Sequence, residues 1–228
     1  MTTRALIERA PCPADAPLRV AVLVSGSGTN LQALLDAMRA PGARFSVVVV
    51  ASNVPGVKAL ERAEAASIQT LTEPHRDHGS REAFERALTE RLAPFAPDVV
   101  VLAGFMRILS ETFVGAFARR IVNVHPALCP AFPGIHAARQ ALDAGARITG
   151  CTVHLVDTGV DTGPILAQAA VPILDDDDEE RLQRRIQVQE HRLLPRVIEA
   201  IARGDVVVEG ERVVARGLVP EAEGLGWH

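Results

Sequence analysis

Tyrosine is absent from this 228-residue chain, tryptophan occurs once and phenylalanine seven times. With 48% hydrophobic residues and so few rings, the core must be built from Val, Leu, Ile and Ala. An aliphatic core argues for buried parallel strands covered by helices, and against the aromatic platforms on which single-stranded nucleic acids stack. Cysteine is scarce as well. Cys12, Cys129 and Cys151 form no CxxC pair, which argues against a disulfide framework and a zinc site. The charge-free stretches 45–57 and 162–174 contain Pro and fall short of the roughly 18 to 20 apolar residues of a membrane span. No basic-then-apolar leader opens the sequence, so a cytoplasmic protein is expected. Positive charge is not in excess: 24 Lys and Arg stand against 28 Asp and Glu, a net charge of −4, and the cations are scattered. Nucleic acid and membrane are therefore not expected partners, whereas a small anionic ligand is compatible. The length fits one large domain, and both a monomer and a homodimer are compatible with it.

What is present is an alternation of strands and helices. Residues 18–25 form an apolar, β-branched run that ends in a Gly-rich turn, and 31–40 follow with helical spacing. Strands are predicted over 45–51, 69–71, 98–103 and 121–124, and helices over 56–66 and 81–92. The run at 98–103 has no polar face, which is the signature of a central parallel strand. A Pro-punctuated loop and a short helix over 136–144 follow, then strands over 149–156 and 165–173 that pair as an antiparallel hairpin. A long amphipathic helix covers 178–203, and a small hairpin joins 206–208 to 212–214. The fold class is α/β: a doubly wound, mostly parallel, Rossmann-like sheet with an antiparallel C-terminal portion. Residues 1–17 read as an irregular extension, 18–215 as the domain and 216–228 as a tail. The acidic run 175–180 reads as a solvated helix start favoured by the helix dipole, not as a metal site.

Three segments could carry chemistry. In Ser25-Gly26-Ser27-Gly28-Thr29-Asn30 the glycines allow a sharp turn, and the helix N-terminus that follows suits a phosphate. Leu31 stands where a dinucleotide fingerprint needs a third Gly, so a monophosphate is favoured over NAD. Plain structural punctuation is the alternative. In Asn123-Val124-His125-Pro126, residues two apart on a strand share a face, so an amide donor and an imidazole converge as oxyanion stabiliser and general acid or base. A buried structural histidine is the alternative. In Asp157-Thr158-Gly159-Val160-Asp161-Thr162-Gly163-Pro164, two carboxylates stand four apart. They serve ordinary turn chemistry, a magnesium site, or a carboxylate that favours the imidazolium of His125. His154 faces the same cleft or the core. Cys129 has no nucleophile partner, so covalent catalysis is not expected. His75, His78 and His228 are expected in solvent.

In this order and spacing the segments resemble the phosphoribosylglycinamide formyltransferase family, folate-dependent enzymes of purine biosynthesis. The likeness spans about residues 18 to 215. It includes APDVVVLAGFMRIL at 96–109, NVHPALCPAFPG at 123–134, HLVDTGVDTGP at 154–164 and QVQEH at 187–191. The resemblance implies transfer of a formyl group from 10-formyltetrahydrofolate to the amine of N1-(5-phospho-D-ribosyl)glycinamide, without a metal. By the same resemblance Asn123, His125 and Asp161 are catalytic, while Gly28, Thr29, Asn30, Gln187, Val188, Gln189 and Glu190 bind the phosphoribosyl substrate. Arg81, Met106, Arg107, Ile108, Leu109, Asn123, Asp157, Thr158, Gly159, Val160 and Asp161 receive the folate. Residues 18–118 become a phosphate-binding half and 119–215 a catalytic and folate half. The chain departs from the family pattern in residues 1–17, in Cys129 and in Ala127, where Ser is common. Formyltetrahydrofolate deformylases share these elements but carry an amino-terminal regulatory domain that residues 1–17 are too short to encode. Methionyl-tRNA formyltransferases need a basic RNA-binding extension. A non-catalytic nucleotide- or folate-binding module is the alternative of another class.

Overall fold

The computed structural model describes residues 3–6, 16–209, 212–216 and 218. Along the chain they form β1 (Thr3–Ala5), β2 (Leu18–Val24), α1 (Thr29–Ala37), β3 (Phe45–Ser52), α2 (Lys58–Ala65), β4 (Thr70–Thr72), α3 (Arg81–Leu92), β5 (Val99–Leu102), α4 (Glu111–Ala116), β6 (Ile121–His125), α5 (Ala137–Asp143), β7 (Ile148–Leu155), β8 (Ile165–Pro172), α6 (Glu179–Arg203), β9 (Val206–Glu209) and β10 (Arg212–Ala215).

The main sheet has the order β4-β3-β2-β5-β6-β7-β8. Strands β2 to β6 run parallel, and β7 and β8 are antiparallel, as the hairpin prediction required. All four residues of β5 are buried, and it occupies the centre of the sheet, the position its unbroken apolar run demands. Alternate side chains of β2 feed two cores. Val20, Val22 and Val24 pack under α1 and α6 with Leu31, Leu34, Leu35, Leu194, Val197 and Ile198. Ala21 and Leu23 pack on the opposite face with Phe84, Leu88 and Leu92 of α3 and Phe113 of α4. Each large aliphatic or aromatic side chain so buried contributes roughly 1.5–3 kcal/mol. The strand order reverses between β2 and β5. Their loops leave toward opposite faces there and open a crevice, the usual ligand position in such sheets.

Helix starts follow their capping residues. The Ser80 side chain accepts from Ala83 N at 3.1 Å, and Asp178 from Arg181 N at 2.7 Å. The acidic run thus begins α6 as expected, and Asp177 adds a two-pronged pair with Arg185 at 2.5 and 2.8 Å.

Two expectations need correction, and one helix is added. Residues 3–5 are not irregular: they form β1, which pairs with β9 in a three-stranded antiparallel sheet β1-β9-β10 and covers an edge that β9 would otherwise leave open. The remainder of the leading extension at 7–15, including Cys12, and His228 with most of the tail lie outside the described residues. Helix α4 was not predicted, because six residues are too few to display a period. His75 and His78 are half-buried rather than in solvent, packed against Phe84 at 6.4 and 5.8 Å between ring centres. Among the described residues, no helix is long and apolar enough to cross a membrane.

Candidate active site

Val122 and Val124 point into the core beneath α1 and α6, so strand alternation projects Asn123 and His125 from the other face of β6. Val153 and Leu155 of β7 enter the same core, which turns His154 the same way. Register pairs Asn123 with His154 and His125 with Thr152. Leu102, the last residue of β5, pairs with Asn123 on its other side, so the loop 103–110 leaves the sheet beside that amide.

Asp161 arrives from the turn after β7. Gly163 lets this turn fold back on the strand, since a Cβ there would stand 1.8 Å from the Leu155 carbonyl oxygen. Asp161 itself adopts φ 54°, a left-handed conformation that Asp tolerates better than most residues. Its Oδ2 lies 3.3 Å from His125 Nδ1 and accepts from Gly134 N at 2.8 Å. Asn123 Nδ2 donates to its Oδ1 at 3.4 Å. His125 Nε2 stands 2.8 Å from the Phe132 carbonyl oxygen, so both ring nitrogens face acceptors, and a doubly protonated ring satisfies both. His154 directs Nδ1 to the Leu155 carbonyl oxygen at 2.8 Å, which leaves Nε2 3.1 Å from Asn123 Nδ2 and 3.5 Å from Asp161 Oδ1. Burial alone pushes the Asp161 carboxyl up. The His154 ring, the Gly134 N–H and the charges of both histidines outweigh it and hold the group below its ordinary range.

The two carboxylates of the turn do not converge. Asp157 Oδ1 accepts from Gly159 N at 3.0 Å and from Thr162 Oγ1 at 2.7 Å, which is ordinary turn chemistry. Thr158 and Gly159 belong to that turn, and Val160 is 43% exposed. Thr152, not singled out from sequence, clamps the Pro-rich loop: its Oγ1 donates to Ala127 O at 2.6 Å and accepts from Cys129 N at 2.9 Å.

The Gly-rich turn lies at the end of β2. Gly28 starts α1 with φ 71°, and a Cβ there would stand 2.6 Å from Ala59 Cβ. Among the described residues no side chain caps α1, so its leading N–H groups are not consumed by one, as anion binding requires. Arg62 donates to Ser27 O at 2.9 Å and to Gln32 Oε1 at 3.0 Å, which sets a guanidinium against the turn. Asn30 Nδ2 donates to Glu190 Oε2 of α6 at 2.8 Å, and among the described residues the buried Asn30 Oδ1 has no partner. Burial pushes the Glu190 carboxyl up, against the opposing pull of Asn30. Gln187 stands one helical turn before Glu190, with Gln189 and the largely exposed Val188 between them.

The third group of residues follows β5. Met106 and Ile108 expose their apolar side chains, Leu109 is buried, and the Arg107 guanidinium lies 5.9 Å from the Phe84 ring centre. Glu85, missed from sequence, is buried on α3 and accepts from Ser110 N at 2.9 Å, which anchors the end of this loop. Its place in an amphipathic helix resembles that of any surface glutamate, so no sequence signal marks it. Arg81 opens α3, with Nε 3.6 Å from neighbouring Glu82. Among the described residues, no group of three or more His, Cys, Asp or Glu side chains is placed to hold a metal ion.

Residues 18–198 match the family described as Formyl transferase. The phosphoribosylglycinamide formyltransferase of Mycobacterium tuberculosis is 50% identical over 198 residues, which cover 87% of this chain and 91% of that one. The trifunctional purine biosynthetic protein adenosine-3 of Drosophila melanogaster is 51% identical over 195 residues, covering 85% of this chain but only 14% of the larger protein. The crystal structure of glycinamide ribonucleotide transformylase 1 from Symbiobacterium toebii superposes with a TM-score of 0.85 at 47% identity, over 90% of this chain and 97% of that one.

Proposed function

The chain belongs to the formyl transferase family, and from that premise we propose that it transfers the formyl group of 10-formyltetrahydrofolate to the amine of glycinamide ribonucleotide in purine biosynthesis. The observation that supports this most directly is the meeting of Asn123 Nδ2 and His125 Nδ1 with the two oxygens of Asp161.

In this reading the amine lone pair adds to the formyl carbon, and the carbonyl π pair moves onto oxygen. Asn123 and the protonated His125 donate to that oxyanion, His125 by giving up its contact with Phe132 O. Preorganised donors of this kind contribute about 3 to 4 kcal/mol each. The proton released by the attacking nitrogen passes, through His125 or an ordered water, to the folate nitrogen. The oxyanion pair then re-forms the carbonyl as the bond from carbon to the protonated folate nitrogen breaks, and tetrahydrofolate departs. Asp161 orients the ring through Nδ1. The attack is direct and requires neither a metal nor an acyl-enzyme. Burial pushes both described thiols up, Cys151 to about 12, so neither offers a thiolate. Two buried free thiols also suit a reducing cytoplasm.

The phosphate is assigned to Gly28, Thr29 and Asn30, with Gln187–Glu190 reaching the ribose phosphate portion. The folate is assigned to Arg81, the loop at 106–109 and the turn at 157–161. Both ligands then straddle the division between residues 18–118 and 119–215. Hydrolysis of formyltetrahydrofolate is the second reading, since the same donors would serve a water nucleophile. An absorbance assay of tetrahydrofolate release separates the two. Release that depends on glycinamide ribonucleotide supports transfer, release without it supports hydrolysis, and no release leaves a binding module.

A further inference from the structure

One hydroxyl joins the two loops that leave the crevice in opposite directions. Ser25, the first residue beyond β2, accepts from Met106 N at 2.9 Å through Oγ and donates from the same hydroxyl to Asn53 Oδ1 at 2.6 Å. Its own N–H donates to Gly104 O at 3.1 Å. Asn53 is 4% exposed, and its Nδ2 lies 3.1 Å from His75 Nδ1. His75 in turn packs on Phe84, over which Arg107 sits. The Ser25 side chain therefore contacts the turn that precedes Gly28, the backbone of the loop at 104–110 and, through Asn53, the segment leading to Arg81.

The far end of the loop is pinned separately. Glu85, 1% exposed, holds both the N–H and the hydroxyl of Ser110. The backbone is thus fastened at both ends while the side chains of Met106 and Ile108 stay 69% and 60% exposed. That arrangement is suited to presenting apolar contacts to a ligand without a loss of loop entropy on binding.

We propose that Ser25 is a positioning residue that holds the phosphate turn and the folate loop in register, so that amine and formyl carbon meet at reacting distance. This rests on the formyl-transfer reading. Without the hydroxyl, the Met106 N–H and Asn53 Oδ1 lose their partner, while the Ser25 N–H to Gly104 link and the turn itself persist. The damage therefore falls on the folate side and on the relative placement of the two ligands, and the phosphate contacts are spared.

The test is steady-state kinetics of the full chain and its Ser25→Ala and Ser25→Thr variants, with thermal melting and calorimetric titration of glycinamide ribonucleotide alone. For Ser25→Ala the KM for 10-formyltetrahydrofolate rises and kcat falls by about tenfold each, while the Kd of glycinamide ribonucleotide stays within about twofold. Ser25→Thr, which returns a hydroxyl, recovers most of both losses. A merely structural serine would lower the melting temperature and leave the folate KM and kcat as they were, and that result overturns the proposal. So does a change confined to the Kd of glycinamide ribonucleotide. If Ser25→Ala does not fold, Ser25→Cys, similar in shape but a weak hydrogen-bonding group, takes its place: a raised folate KM with a lowered kcat supports the proposal, and unchanged values overturn it. A wild-type chain that transfers no formyl group to glycinamide ribonucleotide removes the functional reading and this inference with it. An active wild type beside an unaffected Ser25→Ala removes this inference alone.

Discussion

Asp161 Oδ2 is shared between His125 Nδ1, 3.3 Å away, and the backbone N–H of Gly134, 2.8 Å away. One carboxylate oxygen therefore orients the imidazole and also secures the loop whose Phe132 carbonyl faces the other ring nitrogen. Ring orientation and loop closure are coupled through this single group.

Replacing Asp161 by Asn keeps its shape and removes its charge. Turnover of Asp161→Asn is expected to fall by about 10²- to 10⁴-fold, with the Kd of each ligand little changed. Single-turnover kinetics alongside equilibrium titrations check this, and near-normal turnover would sink the assigned role.

The same residue predicts a pH dependence of stability. The folded-state carboxyl lies below its ordinary value of 3.8, so its stabilising contribution is complete above pH 3.8 and is lost as pH falls through the lower folded value. Acid unfolding followed by circular dichroism should show this loss in the wild type and lack it in Asp161→Asn.

Asn123→Ala removes one donor to the oxyanion and leaves His125 in place. A fall in kcat of about 10²- to 10³-fold with little change in either KM is expected. A rise in KM at constant kcat would instead make Asn123 a ground-state binding residue.

Glu190→Gln separates stability from function. Burial raises the Glu190 carboxyl from 4.5, so the stability linked to its protonated form is complete below pH 4.5 and is lost as pH rises through the raised value. Gln cannot ionise, and its amide can donate to the unpartnered Asn30 Oδ1. The variant's melting temperature should exceed that of the wild type by a margin that grows above pH 4.5. The KM for glycinamide ribonucleotide should rise by about tenfold from the lost carboxyl group. A melting temperature lower than the wild type at pH 8 contradicts the burial argument.

Gly28→Ala meets two obstacles, a φ of 71° and Ala59 at 2.6 Å from the new Cβ. Destabilisation of about 1 to 3 kcal/mol is expected, measurable by urea unfolding, together with weaker binding of the phosphoribosyl substrate.

Much of the scaffold was legible because its signals are local. The apolar run at 98–103 marked the central strand, and the period of two along β6 put Asn123 and His125 on one face. The acidic run at 175–180 marked the start of α6. Helix α4 and strand β1 escaped, since neither is long enough to carry a period and β1 exists only by pairing with β9, some two hundred residues along the chain.

The sequence by itself determined the order of strands and helices, the Gly-rich turn ahead of a helix, and the amide and imidazole side by side, all consequences of neighbouring residues. Tertiary structure decided which carboxylate of the turn joins them: Asp161 comes in because Gly163 folds the turn against Leu155, and Asp157 stays out because Gly159 and Thr162 engage it. It also decided that His154 faces Asn123, that Asn30 meets Glu190 and that Ser25 reaches Met106. Each of these contacts joins residues distant in sequence, and the partner depends on strand order and register, which no local pattern encodes.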